Sequence, residues 1–312
     1  MDIWLTVLNG LSYGLLLFML SAGLTLIFGL MGVLNFAHAA LYMLGAYVGY
    51  SLTQSLGFGM ALWLAPVLVG LLGAGFQHGV LRPMQSRGHV AELLVTFGLA
   101  YVLTELVQLL WGRAPLPFKP TAWLDGPAFT IATTSDGWQL HWGLWAGCAA
   151  DEVICARYPA SRAFVVVVAL AMWALMALIM RSTRVGWVIR AAVTHPAMVQ
   201  ALGHDVPRIY RWVFGVGCGL AALAGVVGGS TFVTEPSMAM TLGPLAFVVV
   251  VLGGVGSLTG ALMASLLIGL LQTAVVAWPH TAVSVWAPVL PFALLVAVLL
   301  FKPSGLLGRE WR

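Results

Sequence analysis

Charge is what this chain has least of. Only 8% of its 312 residues are Asp, Glu, Lys or Arg, where a soluble domain carries roughly a quarter. With 61% apolar residues, the solvent that suits this sequence is a lipid bilayer, and the chain reads as a multi-pass membrane protein. One crossing takes about 20 apolar residues, so there is room for about eight to ten spans and none left for a sizeable soluble domain. Residues 1–312 therefore read as one transmembrane domain. A basic leader is missing too: the chain starts Met1-Asp2-Ile3-Trp4, so the first apolar run reads as a retained span with its N-terminus outside. Neither Lys119 nor Lys302 follows a phosphate-cradling glycine run, which excludes ATP hydrolysis by this chain alone. Paired acids, a metal-binding helix motif and a nucleophile elbow are also lacking, so an enzyme reading has no support and no cofactor is expected. No basic face interleaved with aromatics exists, which excludes nucleic acid. Cysteine is scarce, with three in all. Cys148 and Cys155 share one polar segment, where a disulfide and two free thiols are both open, and Cys218 sits among glycines as a small packing residue.

What is present is a set of apolar segments near 3–30, 39–55, 60–81, 91–111, 161–180, 212–232, 243–256, 258–278 and 287–301. They are interrupted by one arginine-rich island at 181–211, which holds Arg181, Arg184, Arg190, Arg208 and Arg211. Because spans flank it, the island lies in water, and the positive-inside tendency makes that side the cytoplasm. Alternating outward from it places Arg82, Arg87, Lys302, Arg309 and Arg312 inside as well, and Arg113, Lys119, Arg157 and Arg162 outside. This asymmetry favours about nine crossings, with the N-terminus outside and the C-terminus in the cytoplasm. The 243–256 run is short, and such a segment can be a broken or re-entrant one if protein or a cavity surrounds it.

Inside the island a short helix is expected. Thr194 or His195 suits the N-cap, Pro196 the first turn, and Gly203 the stop after Ala201 and Leu202. Two turns are too short to be stable alone in water, so the helix needs a protein groove. On the opposite side, 112–160 is the one large stretch outside the spans. It carries Trp123, Trp138, Trp142 and Trp145, and it reads either as an interfacial loop or as a docking surface for an extracytoplasmic partner.

Glycines recur at spacing four, in the pairs Gly10/Gly14, Gly45/Gly49, Gly75/Gly79, Gly215/Gly219, Gly225/Gly229 and Gly256/Gly260, and mark tight helix seams in lipid. Polar groups within the apolar runs are few. Glu105 and Gln108 sit one turn apart, with Glu105 either satisfied structurally or functional. Asn35 and His38 stand at the break after the first span, where His38 could cap the next helix or meet cargo. A weak internal similarity links 35–45 with 256–266, each starting a span from the same side, and paired interrupted segments point to a pathway.

These residues bring the chain to a recognisable pattern. Asn9-Gly10-Leu11-Ser12, the 23–29 run from Gly23 to Gly29, Asn35-Phe36-Ala37-His38, the 42–47 run, and Arg82-Pro83 lead to its strongest part, Thr183 to Gly186 through Ala201 to Gly203. Gly253 to Ser257 and Lys302 to Gly305 follow. Together they resemble the branched-chain amino-acid ABC transporter permeases of the LivH/LivM type over nearly the whole length. The resemblance implies an all-α polytopic bundle of about 8–9 spans with the ABC importer permease fold, in a bacterial inner membrane. It also implies a second homologous permease, two cytoplasmic ATPase subunits that bind the ATP, and an extracytoplasmic substrate-binding protein. In that setting Arg184, Gly186, Arg190, Pro196, Ala201, Leu202 and Gly203 are expected to couple to an ATPase. Asn35, His38, Gly253, Gly254, Gly256 and Ser257 are expected along the translocation path. Residues 138–160 depart from the pattern as an added segment. Two alternatives stay open: import of urea or short amides on the same scaffold, and an autonomous proton-coupled transporter relying on Glu105.

Overall fold

The computed structural model describes residues 3–85, 87–118, 121–134, 137–149, 154–278 and 284–308. Helices dominate. Helix α1 spans Ile3–Met31, α2 His38–Leu56 and α3 Phe58–Phe76, the last running on through a π-helical turn at Gln77–Leu81 into the short α4, Arg82–Gln85. Then come α5 (His89–Trp111), α6 (Ala160–Ser182), α7 (Arg184–Thr194), α8 (Pro196–Ala201), α9 (Val206–Thr231), α10 (Met238–Gly253), α11 (Leu258–Val276) and α12 (Leu290–Phe301). Among the described residues, six helical stretches are long and apolar enough to cross a membrane: Ile3–Met31, Phe58–Gln85, His89–Trp111, Ala160–Ser182, Val206–Thr231 and Leu258–Val276. The other expected spans correspond to α2, which carries several polar side chains, and to α10 and α12, which are short.

Helices α1 and α9 form the centre, with Leu17, Phe18, Met19, Phe214 and Cys218 all buried. In lipid no hydrophobic drive brings helices together, so close backbone approach has to do so. Four of the glycine pairs serve that purpose. Gly10 and Gly14 of α1 meet α11 at Leu270, Thr273 and Ser265, and Gly45 and Gly49 of α2 meet Ala222 and Val226 of α9. Gly215 and Gly219 lie on Gly70 and Pro66 of α3, and Gly225 and Gly229 on Tyr42 and Ala46 of α2. Gly75 and Gly79 face open space instead.

These contacts fix the two ends. Because α3 and α9 run antiparallel, α4 comes to the same end as the start of α9, and α7 and α8 join them through a cluster of Leu30, Ile189, Ala192, Val199, Val206 and Val213. Arg82, Arg87, Arg181, Arg184, Arg190, Arg208, Arg211 and Lys302 collect at this end, while Arg113, Arg157 and Arg162 lie at the other. Lys119, Arg309 and Arg312 are outside the described residues. At this same end the chain after α12 folds back onto α10. Leu306 and Leu307 donate their N–H groups to the carbonyls of Leu252 and Gly253, at 2.8 and 3.1 Å, which satisfies acceptors that a helix end leaves free.

The far end corrects the all-α expectation. Strands β1 (Pro127–Thr134), β2 (Gly137–Trp142) and β3 (Ile154–Pro159) form an antiparallel sheet in the order β2-β1-β3. The residues explain it: β-branched Thr130, Ile131, Thr133 and Thr134 in β1, and apolar–polar alternation through Trp138, Gln139, Leu140, His141 and Trp142 in β2, a period of two that suits a sheet with one apolar face. That face carries Tyr158, Phe129 and Trp142 in register. Tyr158 is buried and donates its hydroxyl to the Leu8 carbonyl of α1, and Arg162 donates to Asn9 Oδ1. Burial pushes the Tyr158 phenol above its ordinary pKa, opposed by a hydrogen bond with Ser12 and the charge of Arg162. At the edge strand the same face ends in Trp138, Leu140 and Trp142, all exposed. On the other face, Cys148 and Cys155 stand 5.8 Å apart between Cα atoms, with their sulfurs at bonding distance.

Candidate functional site

Two regions gather the residues singled out in the sequence. The first is the arginine-bearing end. The sequence suggests one short helix there; the structure adds a longer one, α7, and starts α9 at Val206, so little of 181–211 is loop. Thr183 caps α7 by accepting from the Gly186 N–H at 3.2 Å. Gly186 is buried against the backbone of Ile179 and Met180, which lets α7 turn sharply off the end of α6. Helix α8 has His195 at its N-cap without a side-chain bond and Pro196 in its first turn. Leu202 is at its C-cap, and Gly203 follows at φ +87°. Asp205 then accepts from the Arg208 N–H at 3.0 Å to start α9.

Only one side of this pair is anchored. Ile189, Ala192 and Val199 are buried toward the end of α1, whereas Met198 and Leu202 are 69% and 79% exposed. Arg184, Arg190, Pro196, Ala201 and Gly203 are exposed around them, with Arg190 Nε donating to the Gly186 carbonyl at 3.4 Å. The structure thus brings Arg184, Gly186, Arg190, Pro196, Ala201, Leu202 and Gly203 together on one platform. The periodic placing of Ile189 and Ala192 was the signal for α7, hidden behind the arginines.

The second region is the break between α1 and α2. Helix α2 starts partway up α1: His38 is buried and its Nε2 lies 2.9 Å from the Leu20 carbonyl. His38 is the first residue of α2 and bridges to a neighbouring helix, so it does not act as the cap. Asn35 holds the turn, its Oδ1 accepting from the Ala37 N–H at 3.1 Å and its carbonyl from the His38 N–H. Asn35 Nδ2 and His38 Nδ1 are buried without a partner. Thr96 of α5 lies against the break: its hydroxyl oxygen accepts from the Phe36 N–H at 3.4 Å, and its one proton is shared between the Leu93 carbonyl of α5 at 3.0 Å and the Leu34 carbonyl at 3.4 Å. Its distance in sequence concealed it. Glu92, buried in the first turn of α5 and 3.3 Å from His89 Nδ1, was likewise not singled out.

Gly253, Gly254, Gly256 and Ser257 are not part of this break. They form the turn between α10 and α11, where Gly256 packs on Gly29, Gly254 on Gly305 and Gly308, and Ser257 caps α11 by accepting from the Gly260 N–H at 3.1 Å. Gly29 is nine residues beyond Leu20 on α1, about 13 Å along the axis. The two similar segments do run in the same direction, but α2 starts deep in the bundle and α11 at its end. Their glycines serve a tight turn that needs positive φ and close backbone. Glu105 is exposed on the outer side of α5, beside Gln108 and Arg113.

Comparison with known proteins accords with this arrangement. The chain is 28% identical to the high-affinity branched-chain amino acid transport system permease protein LivH of Escherichia coli, over 96% of this chain and 94% of that one. It is 29% identical to BraD of Pseudomonas aeruginosa, named a permease protein of the same kind of system, over 97% and 95%. A more distant relative is LivM of Salmonella typhimurium, 25% identical over 92% of this chain and 67% of that one. No solved structure matches. Residues 6–299 match the family described as branched-chain amino acid transport system / permease component, and the chain belongs to that family of membrane transport permeases.

Proposed function

We propose that this chain is a membrane subunit of an ATP-driven importer of branched-chain or related small amino acids. It lies in a bacterial inner membrane and crosses it about eight to nine times by the α-helices above. The arginine-bearing end faces the cytoplasm and the sheet end faces outside. Its partners are a second homologous permease, two ATPase subunits that bind the ATP, and an extracytoplasmic binding protein. Cys148 and Cys155 form a disulfide in the outer compartment.

The observation that carries this reading is the α7–α8 platform. Met198 and Leu202 present large apolar side chains to water on a helix fixed from behind by Val199. Such a surface suits a groove on a soluble partner. Closure of the ATPases would move α8, and the shared packing with Leu30 and Val213 would pass that movement to α1 and α9, the centre of the bundle. The bundle would then alternate between outward and inward openings. Asn35 and His38 stand where the cargo would pass. The proton-coupled alternative loses its support in Glu105, which is exposed on the periphery instead of paired within the bundle.

Deletion of Pro196–Leu202, or Gly203→Pro, tests the coupling. The variants are expected to insert normally and to lose both ATP-driven uptake and co-purification with the ATPases. Normal co-purification of the deletion variant would remove the coupling role.

A further inference from the structure

Helix α6 has one side that this chain leaves bare. Val167, Leu170, Leu175 and Leu178 fall on that side and are all exposed, and no charged residue lies between Ala163 and Met180. On a membrane span, an uninterrupted apolar stripe of this kind is the side that meets acyl chains. The stripe ends at Arg181, three residues beyond Leu178 and exposed in the last turn of the helix. There the chain bends back. Gly186 of α7 packs on the backbone of Ile179 and Met180, and Trp187 Nε1 donates to the Arg181 carbonyl at 3.1 Å, an acceptor that the end of α6 leaves free. The Trp187 ring is thereby held at the depth of the span's last turn, beside the lipid stripe, and the residue is still 58% exposed. Arg184, one turn before Trp187 on the same side of α7, is exposed as well. Among the described residues the ion pairs are His89–Glu92 and Arg208–Asp205, so neither Arg181 nor Arg184 has an acid opposite it.

We propose that Arg181, Arg184 and Trp187 form a binding site for the headgroup of an anionic phospholipid in the leaflet that borders this end of the bundle. Each guanidinium can give two parallel N–H groups to a phosphate. The indole, apolar in its body and with its N–H already paired, suits the boundary between acyl chain and headgroup. A zwitterionic headgroup would bring its own ammonium toward two arginines without a counter-charge, whereas an anionic one brings none, and that difference sets the selectivity. The apolar residues offered to a soluble partner, Met198 and Leu202, lie on α8, beyond the C-cap of α7 at His195, so lipid and soluble partner take different parts of the platform. Because Gly186 ties α7 to the same turn of α6, a bound headgroup would also fix the root of the platform. The inference needs the chain to span a membrane and is independent of the transport reading.

The test is fluorescence quenching of a bimane label on Leu178→Cys, with the full chain in phosphatidylcholine vesicles that carry a low share of a brominated lipid. Of the native cysteines, Cys218 is buried and Cys148 and Cys155 stand at bonding distance. Brominated phosphatidylglycerol should quench the label at a mole fraction at least about threefold lower than brominated phosphatidylcholine does. With Arg181→Gln and Arg184→Gln added, the two lipids should quench alike. A label on Val167→Cys, eleven residues away on the same stripe and about 16 Å along the axis, should not distinguish them in either background. The proposal is overturned if the two lipids quench Leu178→Cys equally, if the arginine substitutions leave the preference in place, or if Val167→Cys shows the same preference. Absence of quenching by either lipid at Leu178→Cys overturns it too, because protein then covers this side of α6. If Leu178→Cys does not insert, Leu175→Cys takes its place, and if the double arginine variant does not, Arg184→Gln alone decides.

Discussion

Gly186 on α7 lies directly over Ile179 on α6: a Cβ there would overlap the Ile179 carbonyl oxygen and stand 2.6 Å from Met180 Cα. The opposing atoms are backbone, so they cannot rotate away, and any side chain must push α7 off the end of α6. Gly186→Val is expected to displace the α7–α8 platform while the spans, which pack elsewhere, stay inserted. Uptake should fall at least about tenfold, equivalent to about 1.4 kcal/mol of coupling, with little change in the amount of protein in the membrane. Uptake at the unmodified level would mean that α7 is free to shift without consequence.

The glycine seams give a paired prediction. A Cβ on Gly225 would overlap the Tyr42 carbonyl and lie 2.9 Å from the Ala46 N–H nitrogen, whereas one on Gly75 meets nothing. Overpacking of this kind costs about 1–3 kcal/mol. Gly225→Ala should lower the thermal unfolding midpoint of the purified protein in detergent, and Gly75→Ala should leave it unchanged. Equal midpoints for the two variants would show that the α2–α9 seam can spread at no cost.

The expectation that glycines at spacing four mark seams could be read in the sequence, because close approach in lipid depends on residue size alone. Which seam each pair serves could not, since that depends on which helices become neighbours. The capped stop at Pro196 and Gly203 was legible for a similar reason: proline and glycine act through their own backbone. The sheet was less so. Trp138, Leu140 and Trp142 alternate with Gln139 and His141, but tryptophan, proline and glycine also fit an interfacial loop, and only pairing with β1 separates the two. Asn35 and His38 stood out as polar residues in an apolar chain, and the structure does place them side by side. Gly253 to Ser257 stood out equally, yet those glycines answer to a backbone turn against Gly29 and Gly305. A glycine pattern carries no information about whether a cavity or another backbone fills the space beside it.

Cys148 and Cys155 are seven residues apart and stand where a bond would tie the segment after β2 to β3. A loop this short stabilises the fold by about 2–3 kcal/mol in the chain-entropy description. Mass spectrometry of protein alkylated without reduction should find neither cysteine modified, and Cys148→Ser with Cys155→Ser should unfold at a lower temperature while still inserting. Alkylation of both residues in freshly prepared membranes would rule the bond out.

The last prediction concerns selectivity. Among the described residues near the break, the polar atoms that remain free are Asn35 Nδ2 and His38 Nδ1, and neither carries a fixed charge. A group of this kind can slow or speed the passage of an amino acid, but it offers no opposed pair of charges to hold both ends of one. Discrimination between similar side chains in a shallow apolar setting is also small, about 1–3 kcal/mol for a methylene. Asn35→Ala and His38→Ala are therefore expected to lower the rate of uptake several-fold while leaving the order of preference among amino acids as it was. Exchange of the binding protein should change that order instead. The measurement is competitive uptake into reconstituted vesicles with several amino acids, comparing each path variant with a binding-protein exchange. Weak binding along the route would favour release of cargo at the far side, which suits a subunit that receives its substrate from a tighter receptor. If one of these substitutions re-ranks the substrates with the same binding protein present, the bundle itself selects the cargo, and the division of labour argued here is wrong.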